Sequence, residues 1–343
     1  MEKEIVKDII CALDNNLKEK GEYVQFNDPS YKPIKINKDY FHEIKGSGCK
    51  GKTAFIDGGN AEILKASNFS LQFIRIYCSI YENNRKIKSR KKEFYILINA
   101  ASKEESITYR TQFFGLDKES ISFDSFDETI RQGKHRITIS SIGNAIRRFA
   151  ELEMAKDVID ELDNKDIIVL DGDLKASVTN EIVYLEELYR KSIEKGVITC
   201  AISKTSQLFT EKGNALMPVL DEDAPESEWY YYPLVEVNSE NHKARIYIVK
   251  LHRNSRYTFK LEVFKGVGFN EEEIFSLLKG NSMDAVFLGY PYGLIEADKM
   301  ARVSNRENEY MKTVFLAKLG KNNEKIAQYL NTLNAHNILD SIG

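Results

Sequence analysis

The sequence predicts an α/β protein whose mixed sheet is flanked by helices. Three strand candidates rich in aromatic and β-branched residues follow one another at short spacing, a long amphipathic helix comes next, and two continuous apolar runs follow with a second helix between them. Short spacing favours an antiparallel meander, and apolar runs without alternation are typical of central parallel strands. The predicted order is strand, strand, strand, helix, strand, helix, strand, with an N-terminal helix and a C-terminal helical extension.

The first elements can be located from periodicity and composition. An amphipathic helix is predicted over residues 4–20, and a polar lead-in follows to residue 52. The three strand candidates are TAFID (53–57), SLQFIRIYCSIY (70–81) and KEFYILINAA (92–101). The first of them is predicted to end on Asp57, before two glycines. This ending has two interpretations, a tight turn or a carboxylate held rigidly at a strand end.

The later elements complete the predicted sheet. A long helix is expected over residues 141–162, and the apolar run DIIVLDGDL then forms a strand that ends at Asp171. A helix over 180–195 should stop at Gly196, and the next buried strand, GVITCAISK, ends at Lys204. This order is that of a ribonuclease H-like fold. The runs ARIYIVKLH and YTFKLEVF extend the sheet or form a hairpin beside it, and helices are expected near Leu294 and over 322–333.

Composition excludes several functional classes. The four cysteines form no CxxC pair and the five histidines show no zinc-ligand spacing, so neither a disulfide framework nor a zinc finger is expected. The first residues carry acids among apolar residues, unlike a signal peptide, and no apolar run approaches membrane-spanning length. We therefore expect a cytoplasmic protein with no membrane contact. The net charge of −3 does not indicate nucleic acid as a partner.

One segment of the chain is strongly basic, in contrast to the net charge of the whole chain. The segment NRKIKSRKK contains six basic residues between Arg85 and Lys92 and lies between two predicted strands. It is either a solvated surface loop or a hairpin tip that contacts phosphates.

A nucleotide-binding alternative rests on GSGCKGKT at 46–53, which matches G-x-x-x-x-G-K-[ST], together with the apolar strand IIVLD. A P-loop needs a strand before it and a helix N-terminus after it, because the helix amides cradle the phosphates. Here the following AFIDGGN has strand composition, which argues against this alternative. A P-loop enzyme would hydrolyse ATP and require Lys52.

Carboxylates offer a different chemistry. Asp57 and Asp171 end strands that are neighbours in a ribonuclease H-like sheet, so both should project from one sheet edge. Such a pair can hold divalent metals about 4 Å apart for phosphodiester hydrolysis, and oxygen ligands suit Mg²⁺ or Mn²⁺. Glu151 or Glu153 on the long helix could add a ligand, although Glu151 could instead pair with Arg147. Asp298, beside small residues on a C-terminal helix, completes an Asp-Glu-Asp-Asp set.

Six sequence blocks make a resemblance specific. They occur in the order FIDGG, RRFAELEMA, VLDGDL, AISKTS, RIYIVKL and GYPYGLIEADKMARVS, and span residues 53 to about 304. With these blocks the chain resembles the NurA family of nucleases. The resemblance implies a ribonuclease H-like, manganese-dependent nuclease acting on single- and double-stranded DNA ends, with 5′–3′ exonuclease and single-strand endonuclease activity. It also implies a homodimer that works with HerA, a hexameric ATP-driven translocase, in end resection and recombinational repair.

The resemblance assigns roles to individual residues. Asp57, Glu151 and Asp171 match the metal-binding acids, and Lys204 could neutralise a phosphate. Tyr247 matches a position implicated in activity; its alternative role is core packing. Asp298 stands where the family is expected to have histidine, which changes the expected metal preference and pH profile.

These assignments lead to a two-metal nuclease as the expected function. Two Mn²⁺ or Mg²⁺ ions would be held by Asp57, Glu151, Asp171 and Asp298. The expected domains are the N-terminal helix and lead-in (1–52), the nuclease domain (53–320, with insertions at about 115–135 and 205–245) and a C-terminal helix and tail (321–343). A non-catalytic adaptor that only docks onto a translocase is a third alternative.

Overall fold

The computed structural model describes residues 2–16, 20–46, 51–103, 106–131, 133–205, 207–319, 326 and 328–330. The strands are β1 (Tyr31–Pro33), β2 (Phe41–Glu43), β3 (Lys52–Lys65), β4 (Phe69–Glu82), β5 (Arg85–Lys103), β6 (Ser106–Phe114), β7 (Ser122–Asp124), β8 (Ile167–Asp171), β9 (Ile198–Ser203), β10 (Trp229–Tyr231), β11 (Val235–Val237), β12 (Ala244–Lys250) and β13 (Phe259–Phe264). The helices are α1 (Glu2–Asn16), α2 (Ile142–Val158), α3 (Glu181–Lys195), α4 (Leu216–Asp221), α5 (Glu271–Asn281), α6 (Tyr292–Ala301) and α7 (Asn305–Leu319).

One large mixed sheet organises the molecule. Within the described ranges it has 11 strands in the order β2-β10-β12-β13-β9-β8-β3-β4-β5-β6-β7. The pairs β3–β8 and β8–β9 are parallel, and the other neighbours are antiparallel. The central order β5-β4-β3-β8-β9, with α2 and α3 as crossovers, is the predicted ribonuclease H-like arrangement. The α/β fold class is therefore confirmed, with β6 and β7 prolonging the meander beyond the three strands expected.

The prediction that the first strand ends at Asp57 is wrong. Strand β3 continues through Gly58 and Gly59, which pair with β4 in regular register. The chain does not turn at these glycines. Glycine is needed at both positions because neighbouring segments leave no room for a side chain. A Cβ at Gly59 would lie 2.3 Å from the carbonyl oxygen of Ala301, and one at Gly58 would lie 2.6 Å from Oε1 of Glu151. The two glycines therefore let α6 and α2 approach the strand that carries Asp57.

The basic segment is not a hairpin tip. The β4–β5 turn consists of Asn83 and Asn84, both with positive φ as a two-residue hairpin turn requires. The basic residues lie along the start of β5, beyond that turn. Four of the six are ion-paired: Lys86 with Glu296, Lys88 and Arg90 with Glu161, and Lys91 with Glu93.

Most helix predictions agree with the structure. Helix α2 lies where the long helix was expected, and α3 ends at Gly196, whose φ of +68° makes it a left-handed C-terminal cap. The sequence reasoning missed α5 and α7. The helix predicted over 322–333 falls largely outside the described residues, of which 326 and 328–330 are helical. The polar composition of the lead-in concealed the short strands β1 and β2.

The P-loop alternative does not fit the backbone. Strand β3 begins at Lys52, where a P-loop would require a helix, and Nζ of Lys52 lies 2.7 Å from Oδ2 of Asp163. Residues 47–50 of the motif are outside the described residues. In the described part of the chain, no helix has the length and apolar character needed to cross a membrane.

Candidate metal centre and active site

Three carboxylates converge where β8 ends beside β3, near the middle of the sheet. Asp57 lies within β3 and Asp171 ends the adjacent parallel strand β8, where Ile56 pairs with Leu170. Asp298 comes from α6, which packs closely on the sheet through the buried small residues Ala297 and Ala301. One oxygen from each carboxylate lies within 4.8 Å of the others. The predicted convergence of Asp57, Asp171 and Asp298 is thus present in the structure.

The three carboxylates differ in exposure. The side chain of Asp57 is 6% exposed, that of Asp171 is 23% exposed and that of Asp298 is 50% exposed. Burial, followed by repulsion from Asp171 and Glu151, raises the pKa of Asp57 to about 7, against the opposing effects of Lys204 and the Gly58 amide. That amide donates to Oδ1 of Asp57 at 2.7 Å. Of these three carboxylates, Asp57 is therefore the one on which a proton would compete with a bound cation near neutral pH.

Lys204 balances part of this negative charge. It follows β9 directly, and its Nζ lies 2.7 Å from Asp298 Oδ1, 2.9 Å from Asp171 Oδ2 and 3.9 Å from Asp57 Oδ2. Burial lowers the pKa of Lys204, but attraction from Asp171, a hydrogen bond to Asp298 and further contacts outweigh it, so the pKa is raised overall. The amine is therefore charged and contacts the whole carboxylate cluster.

Glu151 lies beside this cluster on α2. Its buried carboxylate is ion-paired with Arg147, and Nη1 of Arg148 lies 3.6 Å from its Oε2. Arg147 also donates to the carbonyl oxygen of Gly58 at 3.0 Å, which joins α2 to the strand next to Asp57. The Arg147 pairing is thus present in the structure, while the assignment of Glu151 as a metal ligand stays a prediction. Glu153 lies elsewhere, in an ion pair with Lys118.

The structure does not bring Tyr247 to the cluster. Its side chain is fully buried, its hydroxyl donates to Oε1 of Glu271 at 3.2 Å, and its ring packs against Tyr232 and Phe275. These contacts match the core-packing alternative. The tyrosine that does reach the site is Tyr290, whose hydroxyl donates to Oδ1 of Asp171 at 3.3 Å. It belongs to the GYPYG block, but nothing in the sequence distinguished its hydroxyl from the others.

The loop after β8 is fixed at several backbone groups. Oγ of Ser203 donates to the Gly172 carbonyl at 2.7 Å, Arg148 donates to the Asp173 carbonyl at 2.5 Å, and the Leu174 amide donates to Glu262 at 2.7 Å. Sequence reasoning missed Arg148 and Glu262 because their partners are distant in sequence. These bonds hold the end of β8, and with it Asp171, in one position.

A cleft of about 520 Å³ opens beside Asp57 and Asp171. Its lining includes Asp57, Glu151, Asp171 and Lys204. Further polar and charged residues complete the lining, including Arg147, Arg148, Asp173, Lys175, Ser177, Glu181 and Thr205. Its volume is in the range of small-molecule sites. The cleft therefore has room for part of a polar, anionic substrate next to the carboxylates.

The donor set fits a hard divalent cation. Three carboxylates offer oxygen atoms from separate elements, with Glu151 adjacent, and such oxygens are the preferred ligands of Mg²⁺ and Mn²⁺. No histidine contributes to the cluster among the residues described. Strands β3 and β8 and helix α6 carry the three carboxylates, so the candidate ligands are held by regular structure.

Comparisons with known proteins agree with this architecture. The sequence model of one family, described as the NurA domain, matches residues 51–303. No curated protein matches the chain. Among solved structures, the NurA nuclease from Sulfolobus solfataricus has a TM-score of 0.55 at 16% identity, covering 92% of this chain and 95% of that one.

Two endonuclease V structures are also similar. That of Ciona intestinalis, in complex with a 24mer DNA, has a TM-score of 0.38 at 10% identity and covers 74% of this chain and 84% of that one. The catalytic domain of the human enzyme has a TM-score of 0.39 at 10% identity, covering 74% and 81%. Because the family match covers more than half of the sequence, and its range contains all the carboxylates of the cluster, this chain belongs to the NurA domain family.

Proposed function

We propose that this protein is a metal-dependent nuclease that hydrolyses phosphodiester bonds in DNA. The observation that carries the proposal is the cluster of Asp57, Asp171 and Asp298 where β8 ends beside β3 in a ribonuclease H-like sheet, with Asp57 and Asp171 lining a polar cleft. Membership of the NurA domain family also supports a nuclease function.

Asp57, Asp171 and Asp298 would hold one or two divalent cations, with Glu151 as the neighbouring candidate. When bound, Mn²⁺ or Mg²⁺ supplies Lewis-acid stabilisation of charge on the phosphodiester and lowers the pKa of water. Tyr290 orients Asp171 through its hydroxyl, while Arg147 fixes the strand beside Asp57. Lys204, already within 3 Å of two carboxylates, is placed to move its charge toward a scissile or neighbouring phosphate.

Membership of the NurA domain family supports a further proposal about substrates and partners. We propose that the substrates are single- and double-stranded DNA ends, that the protein acts as a homodimer with a HerA-type hexameric ATPase, and that it works in cytoplasmic DNA end resection. We expect two activities, a 5′–3′ exonuclease and a single-strand endonuclease. The basic residues at the start of β5 are weaker candidates for DNA contact than expected, since ion pairs already engage most of them.

The test is cleavage of end-labelled single- and double-stranded DNA with Mn²⁺, Mg²⁺ or EDTA. We expect metal-dependent cleavage by the wild type, at least a hundredfold loss in Asp57→Asn, and full activity in Lys52→Ala, whose partner is a surface carboxylate. Cleavage that survives in EDTA or in Asp57→Asn contradicts the proposal. Absence of cleavage in all conditions, with retained binding to a HerA-type partner, would favour the adaptor alternative.

A further inference from the structure

We propose that the β12–β13 loop, residues 251–258, together with the 283–287 segment beside it, binds single-stranded nucleic acid next to the catalytic cleft. This inference rests on the proposed nuclease function and names the surface that would hold its substrate. Tyr257 would stack on a base, while Arg253 and Arg256 would contact backbone phosphates. We refer to this surface as the Tyr257 platform.

Strand register places the platform at the same end of the central strands as Asp171 and Lys204. At the start of β13, Lys260 pairs with Ser203, and Asp171 pairs with Ile202 on the other side of β9. Strand β13 is antiparallel to β9, so its first residues lie where β9 ends. The loop that precedes β13 therefore projects from the edge that carries Asp171 and Lys204. Strands β13 and β8 are two strand spacings apart, so about 10 Å separates the start of β13 from Asp171 in the direction across the strands.

The chemistry of the platform matches single-stranded nucleic acid. Tyr257 is 57% exposed, and Val286 and Met283 on the adjoining segment are 78% and 57% exposed. Arg253 and Arg256 are both exposed, and in the described part of the chain neither guanidinium has an ion-pair partner. Exposed aromatic rings interleaved with free arginines bind unpaired bases by stacking and phosphates by charge. In a duplex, the faces of interior bases are not open to such stacking.

A chain of rings connects the platform to the candidate metal centre. The ring of Tyr257 meets Phe287 edge to face at 5.3 Å between centroids, and Phe287 stacks on Tyr290 at 5.4 Å. Tyr290 donates its hydroxyl to Asp171. A base held on Tyr257 would thus be positioned through packed side chains relative to a carboxylate of the cluster.

Hydrogen bonds and close packing anchor the backbone of the platform. Oγ of Ser255 accepts from the Tyr257 amide and donates to its carbonyl, both at 3.0 Å. The Arg253 amide donates to Glu228 at 3.2 Å. Gly289, with φ of +86°, allows the neighbouring segment to lie against Ser255, because a Cβ there would be 2.7 Å from that side chain. Such anchoring reduces the ordering cost of binding.

The experiment measures equilibrium binding of fluorescein-labelled oligodeoxythymidylate and of a blunt hairpin duplex in EDTA. Tyr257→Ala should weaken single-strand binding by about 5-fold or more, as loss of one stacked base predicts. The Arg253→Gln/Arg256→Gln double variant should lower the slope of log affinity against log salt by about 1.4. Tyr310→Ala and Arg190→Gln, exposed positions on α7 and α3, should bind as the wild type does.

A fluorescence variant tests stacking itself. Tyr257→Trp should retain affinity, and its emission should be quenched when oligodeoxythymidylate binds, against the constant background of the buried Trp229. Unchanged single-strand affinity in Tyr257→Ala, no quenching in Tyr257→Trp, or no single-strand binding by the wild type overturns the inference. If the wild type cleaves DNA while Tyr257→Ala binds normally, only the platform is wrong. If Tyr257→Ala loses binding in a protein that does not cleave, the platform stands without the nuclease.

Discussion

Asp57 should make the metal-free protein less stable at alkaline pH. Its pKa lies at about 7 in the folded protein, against 3.8 as the ordinary value, chiefly because the carboxyl is buried and faces Asp171 and Glu151. Because this pKa is raised, the folded state holds a proton that the unfolded state has lost between about pH 4 and pH 7. Stability from this group therefore falls as the pH rises through that interval, and the whole penalty is present above pH 7.

The size of the penalty follows from the shift. About 3 pKa units at about 1.4 kcal/mol each give a penalty on the order of 4 kcal/mol. Asn is nearly isosteric and keeps an oxygen that can accept from the Gly58 amide, so Asp57→Asn should remove the charge and leave the packing. For a chain of this length, that free energy corresponds to a rise in Tm of about 5 °C.

The assay is thermal unfolding in EDTA at pH 4.5 and pH 8, with the exposed Asp117→Asn as control. We expect Asp57→Asn to exceed the wild type in Tm at pH 8 and to approach it at pH 4.5, whereas Asp117→Asn should match the wild type at both. Added Mn²⁺ should raise the Tm of the wild type more than that of Asp57→Asn. An Asp57→Asn variant with a lower Tm than the wild type at pH 8, or a Tm difference that is the same at both pH values, would contradict the raised pKa of Asp57.

Changes at Gly59, Glu262 and Tyr290 should have separate, measurable effects. Gly59→Ala should destabilise the protein by about 1–3 kcal/mol and reduce Mn²⁺-dependent cleavage, because its Cβ would displace Ala301 on the helix that carries Asp298; Gly268→Ala, where a Cβ meets nothing within 4 Å, is the control in urea unfolding. Glu262, buried against His242 and Lys260, has its pKa lowered to about 2 because those contacts outweigh its burial, so its stabilisation is complete above about pH 4.5 and is lost as the pH falls toward 2. Glu262→Gln should therefore cost about 3 kcal/mol at pH 7 and less at pH 3 in urea unfolding, and an equal cost at both would contradict this. Tyr290→Phe should weaken Mn²⁺ affinity about tenfold or more in calorimetric titration while Tyr247→Phe leaves it unchanged, and the reverse order would contradict the assignment of these two tyrosines.

The sequence was sufficient for the central topology because its signals are local and strong. The apolar run before Asp171 and the composition of the strand that carries Asp57 identify two buried strands, and their order with the helix between them places the carboxylates on neighbouring strands. The small residues around Asp298 indicated close packing of its helix, which the structure contains.

What the sequence could not supply depends on contacts between distant segments. Asp-Gly-Gly has the local character of a turn, and only the approach of Ala301 and Glu151 explains why the strand runs straight through it. Likewise, the segment from Arg85 to Lys92 resembles a loop by charge, although it forms a strand against β4 whose cations meet acids elsewhere in the chain. The sequence does not distinguish the roles of Tyr290 and Tyr247. The structure does, because it is the hydroxyl of Tyr290 that faces Asp171.

The most direct test of the carboxylate cluster is anomalous diffraction from crystals of the wild-type protein equilibrated with Mn²⁺ at pH 8. We predict a manganese peak among the oxygens of Asp57, Asp171 and Asp298, with the amine of Lys204 displaced from its present contacts with them. Crystals at saturating Mn²⁺ with no peak there, and with Lys204 still paired to Asp171 and Asp298, would contradict it.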